Sequence, residues 1–352
     1  MKIIFLTNSN IEKNGWSVLG KNIYNQLKLN NEIRLFTSDK KSIFNFSNQS
    51  IRAERYTRGR FFLIFDFFKI LFYTLKFKPD IVHCNTEYFA PIALLLSKFF
   101  KVPFTVSVAG TYGITLPKKY KIYSYSFKRA EALICLSNYT KKRMEEEGVE
   151  GKKVVIKPGY DSTIFKIDNT TKRENSISFV GNFKPRKGFK FLLDAICKIS
   201  DEIKIKLYFI GDVDENSTDY MEALSVCKRN QIEINILKQI SDEKLVDIYR
   251  KVKLNILPSY SVPDNFEGFG LIHYEAIACG TLTIGTKNSG NEDAIIGKNG
   301  FLIKYGDVES LSKTILKVLR LNSYPKIDLT KIRNWETVGK DYNKLFIKLK
   351  IK

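Results

Sequence analysis

Two doubly wound α/β domains are the fold class predicted from the sequence, on three observations. At 352 residues the chain is about twice the ~100 to 200 typical of one domain. Short apolar runs rich in β-branched and aromatic residues alternate with amphipathic stretches from end to end, the pattern of parallel strands joined by crossover helices. That alternation fails once, between Gly159 and Asn175, in a polar stretch that reads as a linker. The expected division is an N-terminal domain over 1–165 and a second over 166–333, with a C-terminal helix over 334–352 packing back on the first.

In the first half the expected strands are Lys2 to Thr7, Glu32 to Thr37, Asp80 to Cys84, Pro103 to Val108, Ala132 to Leu136 and Val154 to Lys157. Helical patterns fill the gaps, notably Val18 to Leu29, Pro91 to Phe100 and Tyr139 to Glu147, and the aromatic run from Phe61 to Phe72 also reads as a helix. In the second half strands are expected at Ile177 to Gly181, Lys204 to Gly211, Ile234 to Leu237, Leu254 to Pro258, Leu282 to Gly285 and Phe301 to Lys304. Helices separate them at Gly188 to Ile199, Asp219 to Arg229, Asp242 to Val252 and Tyr274 to Cys279, and a last one from Val308 to Leu321 takes Asp307 as its N-cap. Ligands of such sheets bind beyond the carboxyl ends of the strands, so a cleft between two of them is the default site.

Composition narrows the class. Apolar residues make up 44% and charged residues 27%, close to the globular norm of about 25%, which excludes disordered and collagen-like chains. Five scattered cysteines with no Cys-x-x-Cys pair fit neither a disulfide framework nor a zinc knuckle. The opening run Ile3-Ile4-Phe5-Leu6 is far shorter than the ~7 to 15 apolar residues of a signal-peptide core and reads as a first strand in a reduced cytoplasm. No run reaches the ~18 apolar residues of a membrane span.

The net charge is +21, and it is unevenly spread: residues 1–165 hold 27 basic and 13 acidic side chains. A positive field attracts phosphate-rich partners. Arg52, Arg55, Arg58 and Arg60 lead into the aromatic run from Phe61, so this segment suits an anionic membrane headgroup layer as well as a helix packed on a sheet. Nucleic acid is the weaker partner, since no helix-turn-helix, zinc-finger or aromatic RNA-binding signature accompanies the charge.

The chemistry concentrates in Asn265-Phe266-Glu267-Gly268-Phe269-Gly270-Leu271-Ile272-His273-Tyr274-Glu275-Ala276-Ile277-Ala278-Cys279-Gly280. Two glutamates flank a glycine-rich turn that opens a helix. Glycines let backbone N–H groups approach a ligand, and a helix N-terminus favours an anion by ~0.3 to 1 kcal/mol. The pattern describes a diphosphate cradle beside carboxylates that accept hydrogen bonds from sugar hydroxyls.

This segment resembles the signature of the retaining glycosyltransferases of family 4 (glycosyl transferases group 1), which adopt the GT-B fold of two Rossmann-like domains facing a central cleft. Val180-Gly181-Asn182-Phe183-Lys184-Pro185-Arg186-Lys187-Gly188 is similar to the family's first strand and phosphate loop. Lys157-Pro158-Gly159-Tyr160-Asp161-Ser162-Thr163-Ile164-Phe165 resembles the turn closing its acceptor domain, and Pro79-Asp80-Ile81-Val82-His83 its central N-terminal strand. Ser289-Gly290-Asn291-Glu292 and Lys298-Asn299-Gly300-Phe301-Leu302 resemble the loops after the glutamate helix.

The resemblance implies transfer of a sugar from a UDP- or GDP-linked donor to a glycan or lipid-linked glycan, in cell-surface polysaccharide, lipopolysaccharide or glycoconjugate synthesis, on the cytoplasmic face of a membrane. It assigns Glu267 to hydroxyls of the transferred sugar, Glu275 to the ribose and Lys187 to the leaving diphosphate. Backbone N–H groups of Gly268, Phe269, Gly270 and Leu271 would lie near sugar and diphosphate, with Asn182 and Arg186 in the phosphate loop and Gly15 near the reacting centre. His83 and Gly110 are its acceptor-side candidates.

Three positions depart from the pattern. Asn182 replaces the phosphate-loop Arg, Asn14 the first of two glycines, and Ala109 a histidine after the fourth strand. Asn182 and Ala109 motivate one alternative, a non-catalytic membrane-associated partner; a nucleotide-sugar epimerase of the same architecture is another. Neither a metal nor a cofactor is expected: Asp212-Val213-Asp214 reads as a turn, and His273 as structural.

Overall fold

The computed structural model describes residues 1–8, 15–37, 60–262 and 265–351. The chain divides into two compact units, Met1–Pro158 with Trp335–Lys352, and Gly159–Asn334.

The first unit runs β1 (Lys2–Thr7), α1 (Gly15–Lys28), β2 (Glu32–Thr37), α2 (Arg60–Thr74), β3 (Ile81–Cys84), α3 (Ala90–Phe100), β4 (Phe104–Val108), α4 (Tyr112–Lys119), α5 (Lys121–Arg129), β5 (Ala132–Cys135), α6 (Asn138–Glu146) and β6 (Lys153–Val155). Its six strands pair in the order β2-β1-β3-β4-β5-β6, each pair parallel. A parallel sheet is covered on both faces, so its strands are apolar without alternation. Ile3, Ile4, Phe5 and Leu6 of β1 are all fully buried. Local signals set the ends of the helices: Ser137 accepts the Thr140 N–H at 2.9 Å to start α6, and Lys101, at φ 54°, closes α3.

Two helices, α4 and α5, occupy 112–129, where the pattern singles out none. Pro117 lies inside α4, and α5 (Lys-Ile-Tyr-Ser-Tyr-Ser-Phe-Lys-Arg) is rich in Lys, Tyr and Ser, so neither announces itself in sequence by a broad apolar stripe.

The second unit runs β7 (Glu174–Val180), α7 (Phe189–Cys197), β8 (Lys206–Ile210), α8 (Thr218–Arg229), β9 (Glu233–Leu237), α9 (Asp242–Lys251), β10 (Val252–Ile256), α10 (Leu271–Ala278), β11 (Leu282–Thr286), α11 (Asn291–Ala294), β12 (Gly300–Ile303) and α12 (Val308–Leu319). The order is β12-β11-β10-β7-β8-β9, again parallel throughout. Phe179, Phe189 and Phe209 anchor the core, with ring centroids 4.9 to 5.2 Å apart. Asp307 caps α12 by accepting the Ser310 N–H at 2.9 Å.

The polar stretch read as a linker belongs to this unit. Tyr160 bridges to Asn334, Phe165 packs against Tyr249, and β7 already begins at Glu174. Arg173 is its anchor: the guanidinium donates to the carbonyls of Tyr249, Val252, Cys279 and Gly280 and lies over the Tyr324 ring. A charged residue in a polar run looks solvated in sequence, whereas here it ties three elements together.

The last helix, α13 (Trp335–Lys350), returns to the first unit. A Cβ on Gly339 would come within 2.5 Å of Gln26, so α13 and α1 meet closely there, and Tyr342 and Phe346 lie over β3.

Candidate functional site

In each unit the chain reverses direction of strand addition beside its first strand, and ligands of doubly wound sheets lie in the crevice at that switch point, beyond the strand ends. In the second unit the switch lies between β7 and β10.

Glycines hold the loop after β7 in place. Gly211, after β8, approaches so closely that a Cβ there would sit 2.2 Å from the Gly181 carbonyl oxygen. The Phe183 N–H donates to the Asp212 carbonyl at 2.8 Å, and a tight turn over Pro185–Lys187 comes next. Gly188, at φ 76°, starts α7 against the end of β10, where a Cβ would meet the Pro258 oxygen at 2.1 Å.

Across this crevice lies the loop before α10. Lys187 Nζ is 2.6 Å, and Arg186 Nη1 3.1 Å, from Glu267 Oε2. Burial alone would raise the Glu267 carboxyl; the two cations override it and hold it at about 2. Two positive charges against one leave the cluster with a net positive charge beside the N-terminus of α10, which carries no acidic residue in its first turn. Gly270, at φ 80°, begins that helix, and the Glu267 carbonyl accepts the Gly290 N–H at 2.9 Å. The Asn291 amide secures the same loop by donating to the Leu257 carbonyl and the Ser259 hydroxyl, both at 3.2 Å.

Of the sequence-predicted residues of this unit, Arg186, Lys187 and Glu267 meet at this strand-end crevice. Glu275 sits one turn into α10 from Leu271, partly buried, with the Tyr249 hydroxyl donating to it at 3.4 Å. Burial, with Asp242 adding to it, pushes its carboxyl up to about 7. The Phe269 ring is buried 4.9 Å from Tyr274, so that residue offers only backbone to a ligand. Asn182 is exposed in the loop after β7 and accepts the Asp212 N–H at 3.5 Å. Asp214 accepts the Asn216 N–H at 3.1 Å, as expected of a turn. His273 is buried with Nδ1 against Thr283, and burial lowers it to about 4. Among the described residues no cluster of three His, Cys, Asp or Glu converges to hold a metal.

In the first unit the switch lies between β1 and β3. Gly15 is exposed at the start of α1, and Asn14 lies outside the described residues. Gly110 is buried in the turn after β4. His83 is not on the acceptor side. Its ring is fully buried, with Nδ1 2.8 Å from Thr105 Oγ1 and Nε2 3.4 Å from Ser107 Oγ, under Tyr342 and Phe346 of α13. Desolvation lowers it to about 3, so it stays a neutral core residue.

Sequence reasoning missed Glu87, which lies after β3 and is fully buried. Its Oε1 accepts the Ala109 N–H at 2.9 Å, and burial pushes its carboxyl up to about 7. Nothing in Asn85-Thr86-Glu87 separates it from an ordinary loop carboxylate.

The profile described as "Glycosyl transferases group 1" matches residues 161–331, and that described as "Glycosyltransferase Family 4" matches residues 26–163. The chain belongs to the group 1 glycosyltransferases of the GT-B fold. An uncharacterised glycosyltransferase of Methanocaldococcus jannaschii is 27% identical over 247 residues, 68% of this chain and 65% of that one, so the chain spans about two thirds of that relative's length. The capsular polysaccharide biosynthesis glycosyltransferase CapM of Staphylococcus aureus is 22% identical over 83% of this chain and 81% of its own. Among solved structures, Anabaena HepE in complex with UDP superposes with a TM-score of 0.74 at 16% identity, over 99% of this chain and all of that one. In this chain the strand-end crevice of the second unit is the place where family signature and local geometry coincide.

Proposed function

We propose that the enzyme moves a glycosyl unit from a nucleoside diphosphate sugar, UDP-linked, to a hydroxyl of a glycan or lipid-linked glycan in polysaccharide or glycoconjugate synthesis, with retention at the anomeric carbon. One observation carries the reading: Arg186, Lys187 and the start of α10 form a net-positive cluster around Glu267 at the switch point of the second unit. The bond between the anomeric carbon and the diphosphate oxygen breaks, and a bond from the acceptor oxygen forms on the same face. The proton of the acceptor hydroxyl passes to the departing diphosphate. Lys187 and the helix N-terminus stabilise the charge that develops there. Glu267 accepts from sugar hydroxyls and Glu275 from the ribose.

Thermal unfolding against UDP, GDP, ADP and CMP tests the donor. A ligand at 100 times its Kd adds ~2.7 kcal/mol, which is roughly 5 to 10 °C for a unit of this size. The expected result is a shift with UDP that Glu275→Ala abolishes; a shift with none of the four would overturn the donor assignment.

The membrane side of the proposal rests on α2. Leu63, Ile70 and Leu71 turn one face of this helix into the unit, while Ile64, Phe65, Phe68 and Phe72 stand 51 to 76% exposed on the other. Exposed Lys76, Lys78, Lys98 and Lys101 lie after α2 and flank the end of α3. Rings with lysines beside them suit the anionic headgroup layer. Arg52, Arg55 and Arg58, expected to share this role, lie outside the described residues. The triple variant Phe65→Gln, Phe68→Gln, Phe72→Gln should keep its unfolding temperature but lose flotation with phosphatidylglycerol vesicles. Undiminished flotation would refute the membrane contact.

A further inference from the structure

Beneath the turn from Glu267 to Gly270 runs a chain of polar side chains in the dry interior of the second unit. Ser178 of β7, Asn255 of β10, Thr283 of β11, His273 of α10 and Asn291 of α11 are all fully buried. Ser178 Oγ donates to Asn255 Oδ1 at 3.1 Å, Asn255 Nδ2 donates to Thr283 Oγ1 at 3.3 Å, and Thr283 Oγ1 lies 2.5 Å from His273 Nδ1. The chain starts on the strand that leads into the loop of Lys187 and ends under the start of α10. Burying so many polar groups is costly unless each finds a partner, and a network in which each does fixes one arrangement of the elements it joins.

The far end of this network decides where the His273 proton sits. The Asn291 amide nitrogen has the Leu257 carbonyl and Ser259 Oγ at 3.2 Å and Thr286 Oγ1 at 3.3 Å, so the amide oxygen is the end turned to Gly270. A Cβ on Gly270 would lie 2.6 Å from that oxygen and 3.4 Å from His273 Nε2. Both atoms are buried, and neither has a hydrogen-bond partner among the described residues. Burial lowers His273 to about 4, so the ring is neutral and carries one proton. With that proton on Nδ1, Nε2 would be an acceptor beside another acceptor, Asn291 Oδ1, in a site without water. With it on Nε2, the ring answers Asn291, and the Thr283 hydroxyl turns from the Asn255 carbonyl, 2.9 Å away, to donate to Nδ1. The second tautomer leaves no side-chain acceptor of the network without a donor.

This contact sits where two segments of the donor crevice meet. Gly270, at φ 80°, opens α10, and its carbonyl accepts the His273 N–H at 3.0 Å. Glu267 precedes it by three residues and accepts the Gly290 N–H on its carbonyl at 2.9 Å; Asn291 follows directly. The ring is also close enough to the Glu267 carboxylate and the Lys187 ammonium for both charges to act on it.

We propose that His273 is a positioning residue of the donor site: its Nε2 proton, shared with Asn291 Oδ1, fixes the Gly268–Gly270 turn whose backbone N–H groups serve the diphosphate. It touches no substrate and acts through Gly270 and Asn291. The inference rests on the donor reading of this crevice.

Glutamine and asparagine separate the two ring nitrogens, because a glutamine amide reaches about as far as Nε2 and an asparagine amide about as far as Nδ1. The experiment titrates the full chain with UDP calorimetrically in wild type, His273→Gln, His273→Asn and His273→Leu. UDP affinity should stay within about 2-fold of wild type in His273→Gln and fall about 10-fold in His273→Asn and His273→Leu, the effect of losing one buried hydrogen bond. A role in packing alone predicts that leucine, which fills the same space, binds UDP as the wild type does; that result overturns the proposal. A second measurement uses the wild-type chain labelled with 15N in histidine. Only His83 and His273 contribute to its long-range 1H–15N spectrum, and His83→Gln assigns them. The His273 proton should be on Nε2, with a signal that UDP displaces; a proton on Nδ1, or a signal indifferent to UDP, overturns the proposal. A wild type that shows no UDP response by either method removes the donor assignment and this role with it, whereas a UDP response retained in full by His273→Leu removes this role and leaves the donor assignment standing.

Discussion

Replacing Lys187 by alanine is expected to lower kcat by about 100- to 1,000-fold, the usual cost of removing one preorganised group that stabilises charge in the transition state. The measurement is release of nucleoside diphosphate from the donor at saturating concentration. Lys187 Nζ lies 2.6 Å from Glu267 Oε2, so its charge is partly spent on a carboxylate. Arg186 contacts the same oxygen. Alanine at 187 leaves that carboxylate one cation, so fold stability should fall by no more than about 1 to 3 kcal/mol while the excess positive charge of the cluster disappears. A large loss of rate with a small loss of stability is the signature of a group acting on the leaving diphosphate; near-normal turnover would sink the assignment.

The same triad fixes a pH dependence. Burial raises the Glu267 carboxyl, but Lys187 and Arg186 pull it down to about 2, below its unfolded value near 4.5. Its contribution to stability is therefore complete above about 4.5 and is lost as pH falls toward 2. Glu267 therefore stays ionised through the neutral range.

Much of this site was legible in the sequence because its residues lie in two continuous runs, 180–188 and 265–280, whose glycines announce close backbone approaches. The strands were legible for a simpler reason. Burial on both faces leaves a run such as Ile3 to Leu6 wholly apolar, and no helix surface requires that. Contacts between distant segments were not legible. Arg186 and Glu267 stand 81 residues apart, and only the pairing of β7 with β10 makes them neighbours. Ser178, Asn255 and Thr283 meet for a similar reason, through the order β7-β10-β11. His83 was misplaced because a histidine at a strand end reads equally as a cleft or core residue. Its place was decided by α13, which returns from the far end of the chain to cover β3 with Tyr342 and Phe346. Arg173 reads as part of a solvated linker until its five hydrogen bonds are seen.

Three glycine-to-alanine substitutions should separate the physical demands on the backbone of the second unit. Gly306 has φ 89° and no atom within 4 Å of an added Cβ, so alanine there meets only the left-handed backbone cost of ~1 to 2 kcal/mol. Gly290 has φ −60°, which any residue adopts, but its Cβ would stand 2.3 Å from the Gly268 carbonyl carbon and 2.5 Å from the Phe269 nitrogen. Those are backbone atoms of the loop that carries Glu267, and they cannot rotate aside. Gly290→Ala should therefore displace that loop and abolish the UDP-induced melting shift. Gly188 combines both demands, with φ 76° and a Cβ position 2.1 Å from the Pro258 oxygen. Its replacement should cost about 3 kcal/mol or more, lowering the unfolding temperature by roughly 6 to 12 °C at 2 to 4 °C per kcal/mol. Calorimetry of the three variants with and without UDP gives the comparison. A Gly188→Ala protein melting no lower than Gly306→Ala would mean that α7 does not begin against the end of β10, and the loop that carries Lys187 would then lack that support.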